Sequence, residues 1–337
     1  MTLVYSGRQQ SHDHDKDGYD RGIVSPVTSV TVRVPAKLNL QLAVGPARAD
    51  GYHDLVTVFH AVSLFDEVTV APADRDSVVV TGEGASDVPA DASNLAARAA
   101  AALLRVVGPG AADAPGLAIR ITKRIPVAAG LAGGSANAAA TLVACNELWR
   151  TGLRQQDLRE LASGIGSDVA FALLGGTAIG TGRGERVTPA LASGTYHWVL
   201  ALAAGGLSTS DVYAACDRIR ASRGLTVPGP ALDNAIMAAL RSGDPAALGP
   251  LLSNDLQQAA ISLRPELRRA LAAGRELGAL GAMVSGSGPT CAFLARNLGH
   301  AQKLAATLAG AGVCRGVAPV AGPVPGACVT ADATEQA

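Results

Sequence analysis

Residues 126–137 read Pro-Val-Ala-Ala-Gly-Leu-Ala-Gly-Gly-Ser-Ala-Asn, an uncharged loop with glycine at 130, 133 and 134. Before it, Leu117, Ile119 and Ile121 alternate as in a half-buried strand; after it, an Ala- and Leu-rich run to about Trp149 reads as a helix. Glycines let a backbone turn tightly and bring its N–H groups close to a ligand. A helix start adds N–H donors without intrahelical partners and the positive end of the dipole. Strand, glycine loop and helix start together make a phosphate site. An ordinary Gly-rich turn before a helix explains the glycines alone equally well. The loop has no Gly-Lys-Ser/Thr, so it is not a Walker A motif, and it lacks the G-x-G-x-x-G spacing of a dinucleotide site. Gly133-Gly-Ser135-Ala-Asn137 falls one glycine short of the hydrolase elbow G-x-S-x-G. Ser135 can cap the helix or place its hydroxyl near a metal–phosphate cluster.

Two other stretches bear on this reading. Ile165-Gly-Ser-Asp168-Val-Ala-Phe puts an acid at the start of a helical segment, where a capping Asp is the ordinary explanation. Ser285-Gly-Ser-Gly-Pro-Thr290 is a second glycine turn, between two apolar strands, where a plain hairpin is the ordinary explanation. The rest of the chain supplies a frame. Val30, Val32 and Val34 alternate in a strand that Pro35 interrupts, and a second strand spans 38–44. Residues 55–71 are extended. Residues 91–107 form a helix capped by Asp91 or Ser93 and ended by Gly108. Shorter helices follow at 155–163 and 168–174, then a strand at 177–179. After about residue 191 the pattern restarts: strand 197–203, helix 210–221, further helices to 277, strands 283–285 and 290–294, helix 298–308 and strand 313–320. Without the inserted helices this order is β-α-β-β-α-β, the split ferredoxin-like arrangement. Residues from Pro323 onward read as irregular, and no internal repeat is present.

Composition excludes several classes. The chain of 337 residues is natural for two domains. It is 48% hydrophobic but only 3% aromatic, so the core must be built from Ala, Val, Leu and Ile. Balanced charge, 28 basic against 28 acidic residues, removes the electrostatic argument for nucleic acid or an anionic membrane. The five cysteines are far apart and form no C-x-x-C pair, which predicts free thiols in a reducing, cytoplasmic compartment. The polar N-terminus carries no signal-peptide pattern. The uncharged run 125–146 is long enough to span a membrane, but Gly130, Gly133, Gly134, Ser135 and Asn137 within it point to a soluble protein. Residues 1–26 are polar and aperiodic, which predicts disorder. His12 and His14 there could hold a stray metal, though a solvated tail is favoured in the absence of a framework.

The glycine loop, the Asp168 stretch and the distal Ser-Gly-Ser-Gly-Pro-Thr turn, in this order, resemble the three motifs of the GHMP kinases. Pro35-Ala-Lys37-Leu-Asn39-Leu, Asp50-Gly-Tyr52-His53-Asp-Leu and Gly182-Arg-Gly-Glu185 are similar to one branch, whose substrate is a cytidylylated methylerythritol of the non-mevalonate isoprenoid route. The resemblance runs from about Val30 to Val320. It departs at Ala132 and Ala136, where relatives often have Gly and Ser, and at Asp54, where Glu is usual.

The resemblance implies an α+β fold of two domains, a ribosomal S5 domain 2-like one over 27–190 and a ferredoxin-like one over 191–329. The extension 1–26 and tail 330–337 fall outside both. It implies ATP-dependent phosphorylation of a tertiary 2-hydroxyl in the cleft between the domains, with ATP and Mg²⁺ as cofactors. Asp168 matches the catalytic base and Lys37 the catalytic lysine. Ala129, Gly130, Leu131, Ala132, Gly133, Gly134, Ser135, Ala136 and Asn137 match the ATP-phosphate loop. Tyr52 and His53 match residues around the cytosine, Tyr213 a second aromatic wall, and Asn39 the lining of the substrate site. The protein ligand of Mg²⁺ is left unassigned, with Ser135 as candidate. Monomer and homodimer are both compatible with the pattern. The rival readings are a homoserine or mevalonate-type kinase of the same fold, a non-catalytic nucleotide-binding sensor, and a Ser135 hydrolase. Gly-Tyr52-His53 argues against the first, the presence of both Lys37 and Asp168 against the second, and the incomplete elbow against the third.

Overall fold

The computed structural model describes residues 29–112 and 114–330; the extension 1–26 with His12 and His14, and residues 331–337 of the tail, lie outside the described residues. In chain order the first half consists of β1 (Val30–Ala47), β2 (His53–Ala73), β3 (Ser77–Gly82), α1 (Leu95–Val107), β4 (Gly116–Lys123), α2 (Gly133–Leu148), α3 (Gln155–Ser163), α4 (Val169–Leu174), β5 (Thr177–Thr181) and β6 (Arg186–Pro189). The second half consists of β7 (Tyr196–Leu202), α5 (Thr209–Ser222), α6 (Asn234–Ser242), α7 (Pro245–Leu248), β8 (Ser253–Asn254), α8 (Gln257–Leu263), α9 (Glu266–Glu276), β9 (Gly281–Val284), β10 (Cys291–Ala295), α10 (Leu298–Gly310), β11 (Gly316–Gly322) and β12 (Cys328–Val329).

The larger sheet runs β12-β1-β2-β4-β3, with β5 on β2, β6 on β5, and β8 on β1. Pro35 does not divide β1 into two strands, as its sequence suggested. The strand continues, and the register against β2 shifts from Pro35↔Phe65 to Ala36↔Val62. Proline lacks an N–H, so a bulge is where a paired strand tolerates it. Beyond the bulge Ala36, Leu38 and Leu40 enter the main core, while Lys37, Asn39 and Gln41 alternate with them and are also buried. A strand covered on both faces thus carries one apolar face and one polar face, and the polar face forms part of the cleft described below.

Helix α2 packs against β1 and β2 and touches α1 and α4. Ala136, Ala138, Ala139, Ala140, Leu142 and Ala144 are buried around it, so it has no solvent stripe. This explains the uncharged run 125–146: most of it belongs to a central helix of 16 residues, Gly133–Leu148. Among the described residues no helix is long and apolar enough to cross a membrane. The cap of α1 is Asn94, whose Oδ1 accepts from Ala96 N at 2.9 Å, rather than Asp91 or Ser93. Asp91 is instead used by Ser93, accepting from its N–H and its hydroxyl.

The smaller sheet runs β11-β7-β10-β9 with antiparallel neighbours. Numbered within the sheet this is 4-1-3-2, the ferredoxin-like order expected from the sequence. The stretch after Pro323 is not wholly irregular, because β12 returns to pair with β1, Val329 opposite Val32. Two exposed residues carry no alternation to read; the free edge of β1 fixes them. At the junction of the sheets, Ala321 N donates to Ser63 Oγ at 2.9 Å. His60 is enclosed there beside the rings of Tyr196 and Trp198. Burial pushes its pKa down to about 3, so it is a neutral core group.

Candidate active site

A cleft of about 860 Å³ opens between the sheets, and its lining includes the glycine loop, Lys37, Asn39, Tyr52, His53, Asp168 and Tyr213. The loop leaves β4 at Lys123 and enters α2 at Gly133. Ala128, Gly130 and Ala132 adopt positive φ of 49°, 76° and 60°. For the two alanines that conformation costs roughly 1–2 kcal/mol each. It is held by the second half of the chain. Leu207 N donates to Ala128 O at 3.1 Å, Thr290 N to Ala129 O at 3.4 Å, and Ser285 Oγ to Gly130 O at 3.1 Å. A Cβ on Gly130 would stand 2.1 Å from the Ser285 carbonyl oxygen. The distal glycine turn is therefore more than a hairpin: it clamps the loop.

Ala132 is the N-cap of α2, and no side chain caps that helix. Ser135 does not cap it, so the first-turn N–H groups at 133–135 remain available beside the cleft, the arrangement that binds anions. Not every residue of 129–137 faces a ligand. Leu131 is core, and its carbonyl accepts from Lys37 N at 3.3 Å. Ala136 is also core. A Cβ on Gly133 would meet Lys123 Nζ at 3.0 Å and Ile125 at 3.1 Å, so this glycine makes room for protein. Asn137 is buried, donating from Nδ2 to Asp66 at 2.8 Å and accepting from Lys123 Nζ at 3.1 Å.

Asp168 occupies the N-cap position of α4 but makes no capping hydrogen bond. Its carboxylate lies 3.7 Å from Lys37 Nζ and is partly open to the cleft. Lys37 Nζ also donates to Asn39 Oδ1 at 2.5 Å, Asn39 Nδ2 to Thr57 Oγ1 at 2.8 Å, and Thr57 Oγ1 to Gln41 O at 2.7 Å. Burial pulls the Lys37 pKa below the usual lysine range, and the neighbouring Asp168 charge acts in the opposite direction. Asn39 lines the cleft, but its amide is spent on positioning the lysine.

At the other end Tyr52 is 54% exposed, while His53 is buried. His53 Nε2 lies 3.0 and 3.1 Å from the two carboxylate oxygens of Asp217, and its ring centroid is 5.0 Å from that of Tyr213. Burial pushes the Tyr213 hydroxyl above its ordinary range, so it stays protonated. The cleft thus has an anion-binding helix start, a carboxylate–ammonium pair and an aromatic pole.

Residues 94–176 match the GHMP kinases N terminal domain and residues 236–314 the GHMP kinases C terminal domain. A 4-diphosphocytidyl-2-C-methyl-D-erythritol kinase from Mycolicibacterium gilvum is 57% identical over 93% of this chain and 97% of its own. The chain belongs to the 4-diphosphocytidyl-2-C-methyl-D-erythritol kinases. A crystal structure of 4-(cytidine 5'-diphospho)-2C-methyl-D-erythritol kinase is 34% identical with a TM-score of 0.68, covering 86% of this chain and 98% of that one. Homoserine kinase from Cytophaga hutchinsonii superposes with a TM-score of 0.69, over 91% of this chain and 98% of that one, at 21% identity. That likeness is one of fold alone. Membership of the 4-diphosphocytidyl-2-C-methyl-D-erythritol kinases rests on sequence identity.

The structure also brings in groups to which the sequence assigned no role: Asp217, Thr57, Arg183 of the quoted Gly182-Arg-Gly-Glu185 stretch, and a buried ion pair between Asp66 and Lys123. Lys123 continues the alternation Leu117, Ile119, Ile121 on the buried parity, and Asp66 precedes Val68 and Val70 in the same way. A charge at a core parity was the signal available for both. No comparable signal marks Asp217, which α5 carries to His53 from 164 residues away.

Proposed function

We propose that this protein transfers the γ-phosphoryl group of ATP to the 2-hydroxyl of 4-diphosphocytidyl-2-C-methyl-D-erythritol, a step of the non-mevalonate isoprenoid route. The observation that carries the reading is the Lys37–Asp168 pair, which lines one cleft with the uncapped start of α2 and with Tyr52, His53 and Tyr213. Asp168 orients the acceptor hydroxyl and takes its proton. Lys37 keeps that carboxylate ionised and offsets charge as the phosphoryl group moves. The N–H groups at 133–135 bind the ATP phosphates, and the aromatic pole receives the cytosine. Mg²⁺ fits the hard oxygen donors available, because it needs few protein ligands when phosphates supply the rest. Among the described residues no cluster of three or more His, Cys, Asp or Glu could cage it. Ser135 Oγ would be the protein's donor to the ion, which neutralises phosphate charge when bound. We place the division between the domains at 190/191, with β8 and β12 crossing back to the first sheet. The five free cysteines support a cytoplasmic setting.

The deciding assay is ADP formation with the cytidylylated alcohol, bare methylerythritol and homoserine in parallel. Only the first should give rapid turnover; equal rates with a bare alcohol would remove the cytidylylated substrate from the reading. Tyr52 supplies a specific check. Stacking of a base on an aromatic ring is worth roughly 1–3 kcal/mol. Tyr52→Ala should therefore raise the KM for the cytidylylated alcohol by about tenfold to a hundredfold. The KM for ATP should stay close to wild type, because the phosphate loop is a separate segment. An unchanged KM for the alcohol would take Tyr52 out of the base site.

A further inference from the structure

Arg183 has no part in the roles assigned so far. It lies in Gly182-Arg-Gly-Glu185, the turn between β5 and β6. Its guanidinium stands over the Tyr52 ring, with Cζ 5.0 Å from the centroid. The turn beneath it is firmly tied. Arg183 N donates to Glu185 Oε2 at 2.6 Å, Gly184 N to Thr181 O at 3.0 Å, and Leu55 N to Gly182 O at 2.8 Å. Gly184 is buried, and a Cβ there would lie 3.8 Å from the Cβ of Ser167, the residue before Asp168. One short turn therefore carries Arg183 to the aromatic pole and passes close to the loop that carries the carboxylate.

The charge on Arg183 is unmatched. Lys37, Lys123 and Arg48 have carboxylate partners, whereas the half-buried Arg183 guanidinium, which lines the cleft, makes no ion pair or hydrogen bond among the described residues. Two carboxylates of the cleft are engaged elsewhere, Asp168 by Lys37 and Asp217 by His53. A substrate with its base at Tyr52 and its hydroxyl at Asp168 must run its connecting diphosphate past this turn. Guanidinium is planar and permanently charged, pairs with phosphate oxygens through two N–H groups, and stacks on aromatic faces.

The geometry points to Arg183 as a specificity-determining residue that binds the diphosphate of the cytidylylated substrate while its other face holds the Tyr52 ring. This inference rests on the cytidylylated-substrate reading above. It concerns affinity for the linker, separate from the aromatic contact with the base.

The test uses the intact enzyme, Arg183→Gln and Arg183→Lys. Cytidine and CDP serve as inhibitors competing with the cytidylylated alcohol. In the wild type, CDP should inhibit at lower concentration than cytidine. In Arg183→Gln, CDP should lose that advantage by about tenfold to a hundredfold, the usual span for a charge-assisted pair, while cytidine changes far less. The KM for the alcohol should rise in parallel, and Arg183→Lys should recover part of the loss. An equal loss for cytidine and CDP would reduce Arg183 to a prop for Tyr52 and overturn the proposal. So would unchanged constants in Arg183→Gln. Failure of the wild type to phosphorylate the cytidylylated alcohol is a different result: it removes the substrate reading, and this inference with it.

Discussion

Asp168→Asn lowers turnover by about two to four orders of magnitude, the usual share of general-base catalysis, and leaves the KM for ATP near its wild-type value. The substitution keeps size and shape and removes the ability to take a proton. It should not disturb α4, because the Asp168 side chain makes no capping hydrogen bond there. A lost cap is thus no competing explanation for lost activity. Asp168 is also the countercharge of Lys37, and its removal leaves a buried ammonium that burial already disfavours. The variant therefore loses the base and weakens the cation together. In a loose phosphoryl-transfer transition state the second loss counts as well as the first. Steady-state kinetics on the folded variant, with circular dichroism as the control for folding, give the answer. Turnover within a few-fold of wild type would remove Asp168 as the base.

Much of this site could be read from residue pattern because its parts are local. A glycine loop between an alternating strand and an Ala-rich run must turn, and a helix start at its end must leave N–H groups unpaired. The split ferredoxin order was legible for the same reason, since each strand and helix carries its own period. What could not be read was whatever depends on distant partners. Pro35 looked like a strand end, but β2 absorbs it in a bulge. Ser135 looked like a cap, but Ala132 takes that place in a left-handed conformation. Gly130 and Gly133 looked like room for phosphate. Both line the cleft, and tertiary packing requires them as well, Gly130 through the approach of Ser285 and Gly133 through Lys123 and Ile125. Asn137 lines the cleft and is also the third member of a buried ionic group, which its sequence position did not reveal. In each case a tertiary partner that local sequence does not show decided the outcome.

That buried group gives the largest expected effect on stability. Asp66 is fully enclosed, and Lys123 almost so. One Asp66 oxygen accepts from the backbone N–H groups of Arg124 and Ile125 at 2.7 and 2.8 Å, where the chain leaves β4 for the glycine loop. The other accepts from Lys123 Nζ and from Asn137 Nδ2 in α2. A single carboxylate thus ties the entry of the loop to the first turns of the helix that follows it. Removing one partner of a buried ion pair leaves an uncompensated charge and typically costs about 3–5 kcal/mol. Asp66→Asn should therefore unfold at clearly lower urea concentration than the wild type. It should also bind ATP more weakly, because the loop entry loses its anchor. Where the single variant folds too poorly to measure, Asp66→Asn combined with Lys123→Met separates charge from packing. The double variant has no stranded ammonium, and replacing both partners of a buried pair is often neutral or better. It should recover a large part of the lost stability while ATP binding stays weak, since the Asp66 carboxylate is still missing from the loop entry. Equal urea midpoints for wild type and Asp66→Asn would show that the pair contributes nothing to the fold. A double variant no more stable than the single one would show that the loss came from the loop's hydrogen bonds and that the stranded charge of Lys123 was of no account.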